Sequence, residues 1–161
     1  MASQPAQSLE YAVKANYLVR FTAFVDWPPA ALGPPSAPVN ICVLGEVPFG
    51  DSLEQSAAGQ TVNGRPVRIR HMSRVDAGSG CHVAYIGRAS AQSTAEALRA
   101  LANAPVLTVT DARRGGDRGV IHFAVSDNRV RFHVDEATAS RSGLSISSRL
   151  LSLALSVRRR G

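Results

Sequence analysis

Aromatic side chains are scarce in this 161-residue chain: one Trp, three Tyr and five Phe make up 6% of it. A net charge of +6 would suit a nucleic-acid partner, but no basic stretch carries the interleaved rings that stack on bases, so no nucleic-acid binding is expected. Lysine is nearly absent too. Lys14 stands alone against seventeen arginines, three of which form the terminal run Arg158, Arg159 and Arg160. With that run in a tail, the folded body keeps about half the excess charge. No apolar run approaches the roughly 20 residues of a membrane helix, so no direct membrane insertion is expected. Met1 to Pro5 is short and polar, without the apolar core of a signal peptide. Either a cytoplasmic protein or a mature exported one fits that start.

Signatures of chemistry are missing as well. There is no Gly-x-Ser-x-Gly elbow, no phosphate loop ending in Gly-Lys-Ser/Thr, and no Gly-x-Gly-x-x-Gly behind a strand. Gly115–Gly119 is glycine-rich but leads into a strand, where no helix start awaits a phosphate. Asp26, Asp51, Asp111 and Asp135 stand where turn or cap aspartates also stand. The four histidines, His71, His82, His122 and His133, lack ligand spacing, and the two cysteines, Cys42 and Cys81, lack Cys-x-x-Cys spacing. The chain is expected to be no enzyme, with no cofactor and no metal. Each cysteine lies in an apolar strand-like run, and two readings stay open: a disulfide, which implies an oxidising compartment, or two buried thiols.

What is present is ordinary globular material, 45% hydrophobic and 19% charged, enough for one core. The expected domain runs over 8–157, with 1–7 and 158–161 as flexible tails. Residues 8–25 read as a helix with Tyr11, Ala15, Leu18 and Val25 on one stripe and Tyr17, Phe21 and Phe24 beside it. Trp27-Pro28-Pro29 ends it, and the proline-rich stretch to Pro38 reads as a loop. Strands follow over 39–45, 66–72, 81–87 and 105–110, with helices over 48–58 and 90–103 between them. Continuous apolar runs such as Val106-Leu107-Thr108-Val109 suit strands covered on both faces. Residues 119–126 and 129–135 read as a hairpin around Asp127-Asn128, and helices over 136–142 and 147–157 close the chain. The fold class is α/β: an αβα sandwich with a mixed sheet of five to six strands, a C-terminal antiparallel hairpin, and helices on both faces.

The hairpin is the most informative local feature. If Ser126 pairs with Arg129, then Ala124 faces Arg131 and His122 faces His133. One sheet face then carries His122, Arg129, Arg131 and His133 with no carboxylate among them, a set suited to a phosphate or carboxylate. The plainer alternative is a solvated face that protects an edge hairpin from aggregation.

The run Glu10-Tyr11-Ala12-Val13-Lys14-Ala15-Asn16-Tyr17-Leu18, continued by Phe21 and Phe24-Val25-Asp26-Trp27-Pro28, resembles the opening of the YfiR/HmsC-like family. Ile41-Cys42-Val43-Leu44-Gly45, Pro48-Phe49-Gly50, Cys81–Gly87, Pro105–Asp111, Arg129–Phe132 and Gly143–Leu151 are similar to its later segments, in the same order. The resemblance implies an exported periplasmic protein that dimerises and represses an inner-membrane diguanylate cyclase through its periplasmic domain, thereby influencing cyclic-di-GMP signalling and biofilm formation. An outer-membrane lipoprotein would relieve the repression. It implies a Cys42–Cys81 disulfide, Met1 in place of a cleaved leader, and small ligands at the strand of Arg131 and His133. Some relatives carry a second cysteine pair near Asp111–Phe123; this chain has none, and Gly115–Gly119 is a further local departure. Candidate partner surfaces are the first helix, with Asn16 and Arg20 on its more polar side, and the hairpin. The competing reading is a receptor for a small anion at His122, Arg131 and His133.

Overall fold

The computed structural model describes residues 5–159. Helix α1 (Pro5–Phe24) starts three residues earlier than expected and stops before the Trp27-Pro28-Pro29 block. Strand β1 (Val25–Asp26) pairs antiparallel with β9 (Ser145–Ile146) in a small second sheet. The proline-rich stretch, read as loop throughout, contains one short helix, α2 (Pro29–Leu32), because a proline is tolerated at a first helical position.

The main sheet is built from β2 (Val39–Leu44), β3 (Thr61–Val62), β4 (Arg65–Met72), β5 (Val83–Ile86), β6 (Leu107–Asp111), β7 (Ile121–Ser126), β8 (Arg129–Asp135) and β10 (Ser156–Arg158). Their spatial order is β10-β8-β7-β6-β5-β2-β4-β3. Strands β4, β2, β5, β6 and β7 run parallel, β8 returns antiparallel to β7, and β10 runs parallel to β8. The remaining helices are α3 (Ser52–Ala57), α4 (Thr94–Ala100), α5 (Glu136–Arg141) and α6 (Ser148–Leu153), with a 3-10 turn at Ala112–Arg114. Six strands have four or more residues, as the α/β sandwich requires; short β3 and β10 extend the edges.

Two apolar clusters cover the two faces. On one, Tyr11, Ala15, Leu18 and Phe21 of α1 pack on Ile41, Val43, Val83, Tyr85, Phe123 and Phe132. The Phe21 ring meets Phe132 edge-on at 5.4 Å and lies against Phe123 at 6.0 Å, geometries that aromatic quadrupoles favour. On the other face, Cys42, Leu44, Ala84 and Ile86 pack against Ala97 and Leu101 of the α4 segment. Side chains alternate between the faces along each strand, so an almost wholly apolar strand such as β2 supplies both cores. Helix α4 starts at a capping box: Ser93 Oγ accepts from Glu96 N, and Glu96 accepts from Ser93 N.

The C-terminal helix is corrected. The sequence pattern predicts one helix over Ser147–Val157, with Arg158 in a tail. Instead α6 ends at Leu153, Leu155 N donates to Phe132 O at 2.7 Å, and Ser156–Arg158 joins the sheet. Without β10, the outer edge of β8 would present unpaired backbone groups, and three residues of strand satisfy them. Arg158 Nε pairs with Asp135 Oδ1 at 3.0 Å. Arg160 lies outside the described residues.

Candidate functional site

Local chemistry builds the hairpin. Asp127 and Asn128 both have positive φ, 53° and 61°, which their short polar side chains tolerate and a two-residue turn demands. The register follows: Ser126 pairs with Arg129, Ala124 with Arg131, and His122 with His133. Because Ile121, Phe123, Phe132 and Val134 point into the α1 core, His122, Arg131 and His133 share the opposite face.

Tertiary pairing lengthens this set into a polar row across four strands. Thr110 stands beside His122 in the β6–β7 register, and Ser156 beside His133 in the β8–β10 register. Thr110 Oγ1 and His122 Nδ1 are 2.7 Å apart, the two imidazole centroids 6.3 Å apart, and His133 Nδ1 and Ser156 Oγ 2.6 Å apart. His122 is only 3% exposed, so it is no solvated side chain; His133 is half-buried and Arg129 sits exposed at the hairpin tip. Burial pushes the His122 and His133 pKa values below the ordinary histidine value, and the Arg118 guanidinium lowers both further. Two neutral imidazoles beside Arg118 and Arg131 form a face that an anion would complete, since bound negative charge favours their protonation. Arg118 and Ser156 escaped sequence reading. The sequence pattern puts the first in a loop and the second in a helix, and nothing local marks either.

A second polar cluster, also missed, lies where α1 crosses the end of β6. Lys14 is fully buried, with Nζ 2.7 Å from Asp111 Oδ2 and 2.6 Å from Glu10 Oε2. Tyr85 Oη donates to Asp111 Oδ2 at 2.9 Å, and Arg113 N donates to Asp111 Oδ1 at 3.0 Å. Arg113 also grips Glu10 with Nε at 2.7 Å and Nη2 at 2.6 Å, a bidentate pair that holds the Glu10 carboxyl below its usual range. Burial and the Asp111 charge drive the Tyr85 phenol far upward, so it stays protonated and donates. Every charge here meets a partner inside the cluster, which marks it as a structural clamp between α1 and β6. The one sequence clue is a lone lysine on an otherwise buried helix face.

Of the four aspartates singled out, only Asp111 is buried in such a cluster. Asp135 caps α5 by accepting from Thr138 N, Asp51 accepts from Gln55 Nε2, and Asp26 lies exposed in β1. Cys42 and Cys81 form a disulfide with Cα atoms 5.7 Å apart, inside the α4-side core. Asn16 and Arg20 are exposed on the outer face of α1, in line with Leu9 and Val13 at helical spacing. The hairpin row and the α1 face belong to opposite sides of the sheet.

A family model described as YfiR/HmsC-like matches residues 11–155, nearly the whole chain and every element from α1 to α6. The chain belongs to the YfiR/HmsC-like family. This is a regulatory, non-catalytic family of periplasmic proteins associated with diguanylate cyclase signalling. Among the described residues, no helix of this YfiR/HmsC-like chain is long and apolar enough to cross a membrane.

Proposed function

We propose that this protein is a periplasmic repressor that holds an inner-membrane diguanylate cyclase inactive by contact with the cyclase's periplasmic domain. The carrying observation is the family match over residues 11–155. The Cys42–Cys81 bond agrees with an oxidising compartment. The protein acts by binding, as a homodimer, and through the cyclase it lowers cyclic-di-GMP and restrains biofilm formation. An outer-membrane lipoprotein that sequesters it would release the cyclase. The outer face of α1 is the proposed contact surface: Asn16 and Arg20 supply polar contacts and Leu9, 65% exposed, supplies apolar area.

The decisive experiment titrates the oxidised protein with the purified periplasmic domain of a diguanylate cyclase from the same organism. Saturable binding that N16A/R20E weakens at least about tenfold supports both the repressor reading and its surface. Saturable binding untouched by N16A/R20E rejects the surface alone, and absence of binding rejects the repressor reading.

A second reading is favoured by the polar row: an anionic small-ligand receptor in which His122, Arg129, Arg131 and His133 hold the ligand. The register that places these four residues on one face supports it. Thermal-shift screening against carboxylates, nucleotides and phosphates tests it, with R131A/H133A as the variant that must lose any stabilisation seen.

A further inference from the structure

The five parallel strands follow the spatial order β4-β2-β5-β6-β7. The chain runs from β2 to β4 on one side, then returns to place β5 on the other side of β2. In open α/β sheets such a reversal leaves a crevice outside the carboxyl ends of the two strands that flank it. Here one cavity occupies that place, behind β2 and β5, and a second adjoins it behind β5 and β6. The larger, ≈ 360 Å³, is bounded by Gly45, Glu46, Ser73, Arg88, Ala89 and Ser90. The smaller, ≈ 220 Å³, shares Arg88 and Ala89 and adds Gln92, Ser93, Arg113 and Arg114.

The wall between them is the loop after β5, and it is held from several directions. Glu46 N donates to Arg88 O at 2.7 Å and Arg88 N to Glu46 O at 3.2 Å, while Gly87 N donates to Leu44 O at 3.0 Å. A Cβ on Gly45 would lie 2.1 Å from Arg88 O, and one on Gly87 would lie 2.5 Å from Leu44 O, so only glycines permit this approach. Farther along, Arg74 Nη1 donates to Ala91 O, and Gln92 both accepts from Val75 N and donates to Val75 O. The loop is therefore preorganised, which lowers the ordering cost of binding.

The charges around the crevice do not cancel. Glu10 is taken by Arg113 and Lys14, Asp111 by Lys14, Tyr85 and the Arg113 amide, and Glu96 by Ser93 N. Glu46 is the remaining carboxylate on the wall of the larger cavity. Among the described residues, neither Arg88 nor Arg114 reaches a carboxylate within salt-bridge distance. Arg114 Nε is buried and lacks a hydrogen-bond partner, an arrangement that calls for an acceptor.

We propose that this crevice binds a small phosphate monoester, its phosphate held by Arg88 and Arg114 and its organic part seated against Gly45, Ala89 and Ser90. Two guanidiniums from loops behind different strands suit a tetrahedral group with three terminal oxygens better than a two-oxygen carboxylate. The site lies apart from the hairpin row and does not depend on the repressor reading.

The test is an amide-shift titration of the ¹⁵N-labelled, oxidised full chain at constant ionic strength, with ribose 5-phosphate, inorganic phosphate and acetate in separate arms. Saturable shifts are expected for ribose 5-phosphate at residues 45–46, 87–94 and 112–115. R88Q/R114Q should raise its Kd by about tenfold or more, and R131A should change it less than about twofold. Lack of saturation by about 10 mM, or an unchanged Kd in R88Q/R114Q, overturns the proposal. Shifts confined to the hairpin and abolished by R131A overturn the location. Acetate binding as tightly overturns the phosphate assignment, and inorganic phosphate binding as tightly overturns the seat for the organic part. If R114Q loses its dispersed spectrum, R88Q alone decides, with a several-fold weakening expected.

Discussion

Lys14 Nζ and Asp111 Oδ2 are 2.7 Å apart across 97 positions of sequence, with both side chains almost wholly removed from solvent. Ion pairs at such depth are costly to desolvate, and they persist only where further hydrogen bonds saturate both charges. Here Glu10, Tyr85 and the Arg113 amide do so, and the Tyr11 ring lies 4.4 Å from the ammonium. Removing one partner leaves the other buried and bare. Lys14→Met is expected to lose about 3–5 kcal/mol in urea unfolding, and pairing it with Asp111→Asn should recover part of the loss. A loss below about 1 kcal/mol would mean that the clamp does not hold α1 on the sheet.

Acid should destabilise the fold in two stages. His82, His122 and His133 have folded-state pKa values below the ordinary 6.5, chiefly through burial. An unfolded chain therefore takes up protons that the folded one refuses, and stability falls as pH drops below about 6.5. Glu10, Glu54 and Asp135, whose pKa values are lowered, add a second loss as pH falls through the acidic range. The Tm is expected to decline between about pH 7.5 and about 5.5, less steeply in His122→Gln. A flat Tm across that interval would contradict the neutral state of these imidazoles.

The disulfide closes a span of 39 residues between β2 and the approach to β5. Loop-closure entropy of that size corresponds to about 4 kcal/mol. C42S/C81S should unfold at correspondingly lower urea with native secondary structure retained by circular dichroism at low temperature. Equal midpoints for the oxidised protein and the variant would show that the bond adds no stability.

Register at the hairpin depends on two positive-φ residues. Asn128→Val places a β-branched side chain in the left-handed region and should cost about 1–2 kcal/mol, whereas Asn128→Gly should be near neutral. Close proton contacts between His122 and His133 measured by NMR report whether the pairing survives. Their persistence at full strength in Asn128→Val, with unchanged Tm, would remove the turn from the account of the polar row.

Much of this fold is legible in the chain because the signals are local. Prolines after Trp27 end α1, Ser93 and Glu96 start α4, and apolar runs with glycine or proline ends mark β2, β5 and β6. Even the pairing of His122 with His133 follows from a two-residue turn, since register there is set by the four residues Ser126–Arg129. The α6 to β10 boundary is different. Leu150, Leu151, Ala154 and Leu155 continue a helical pattern, and only the unpaired edge of β8 turns Ser156–Arg158 into strand.

The sequence by itself therefore determined the alternation of elements, the hairpin register and the family, all of which depend on neighbours in the chain or on the order of segments. Tertiary structure alone decided what Lys14 pairs with, which residues extend the histidine pair into a row, and that Arg88 and Arg114 border one crevice, and it brings together Cys42 and Cys81, whose bond the family resemblance implied but spacing left open. The physical reason is sequence distance. Burial of charge, sheet order and the meeting of loops behind different strands arise only when segments tens of residues apart are packed, and no local propensity encodes them.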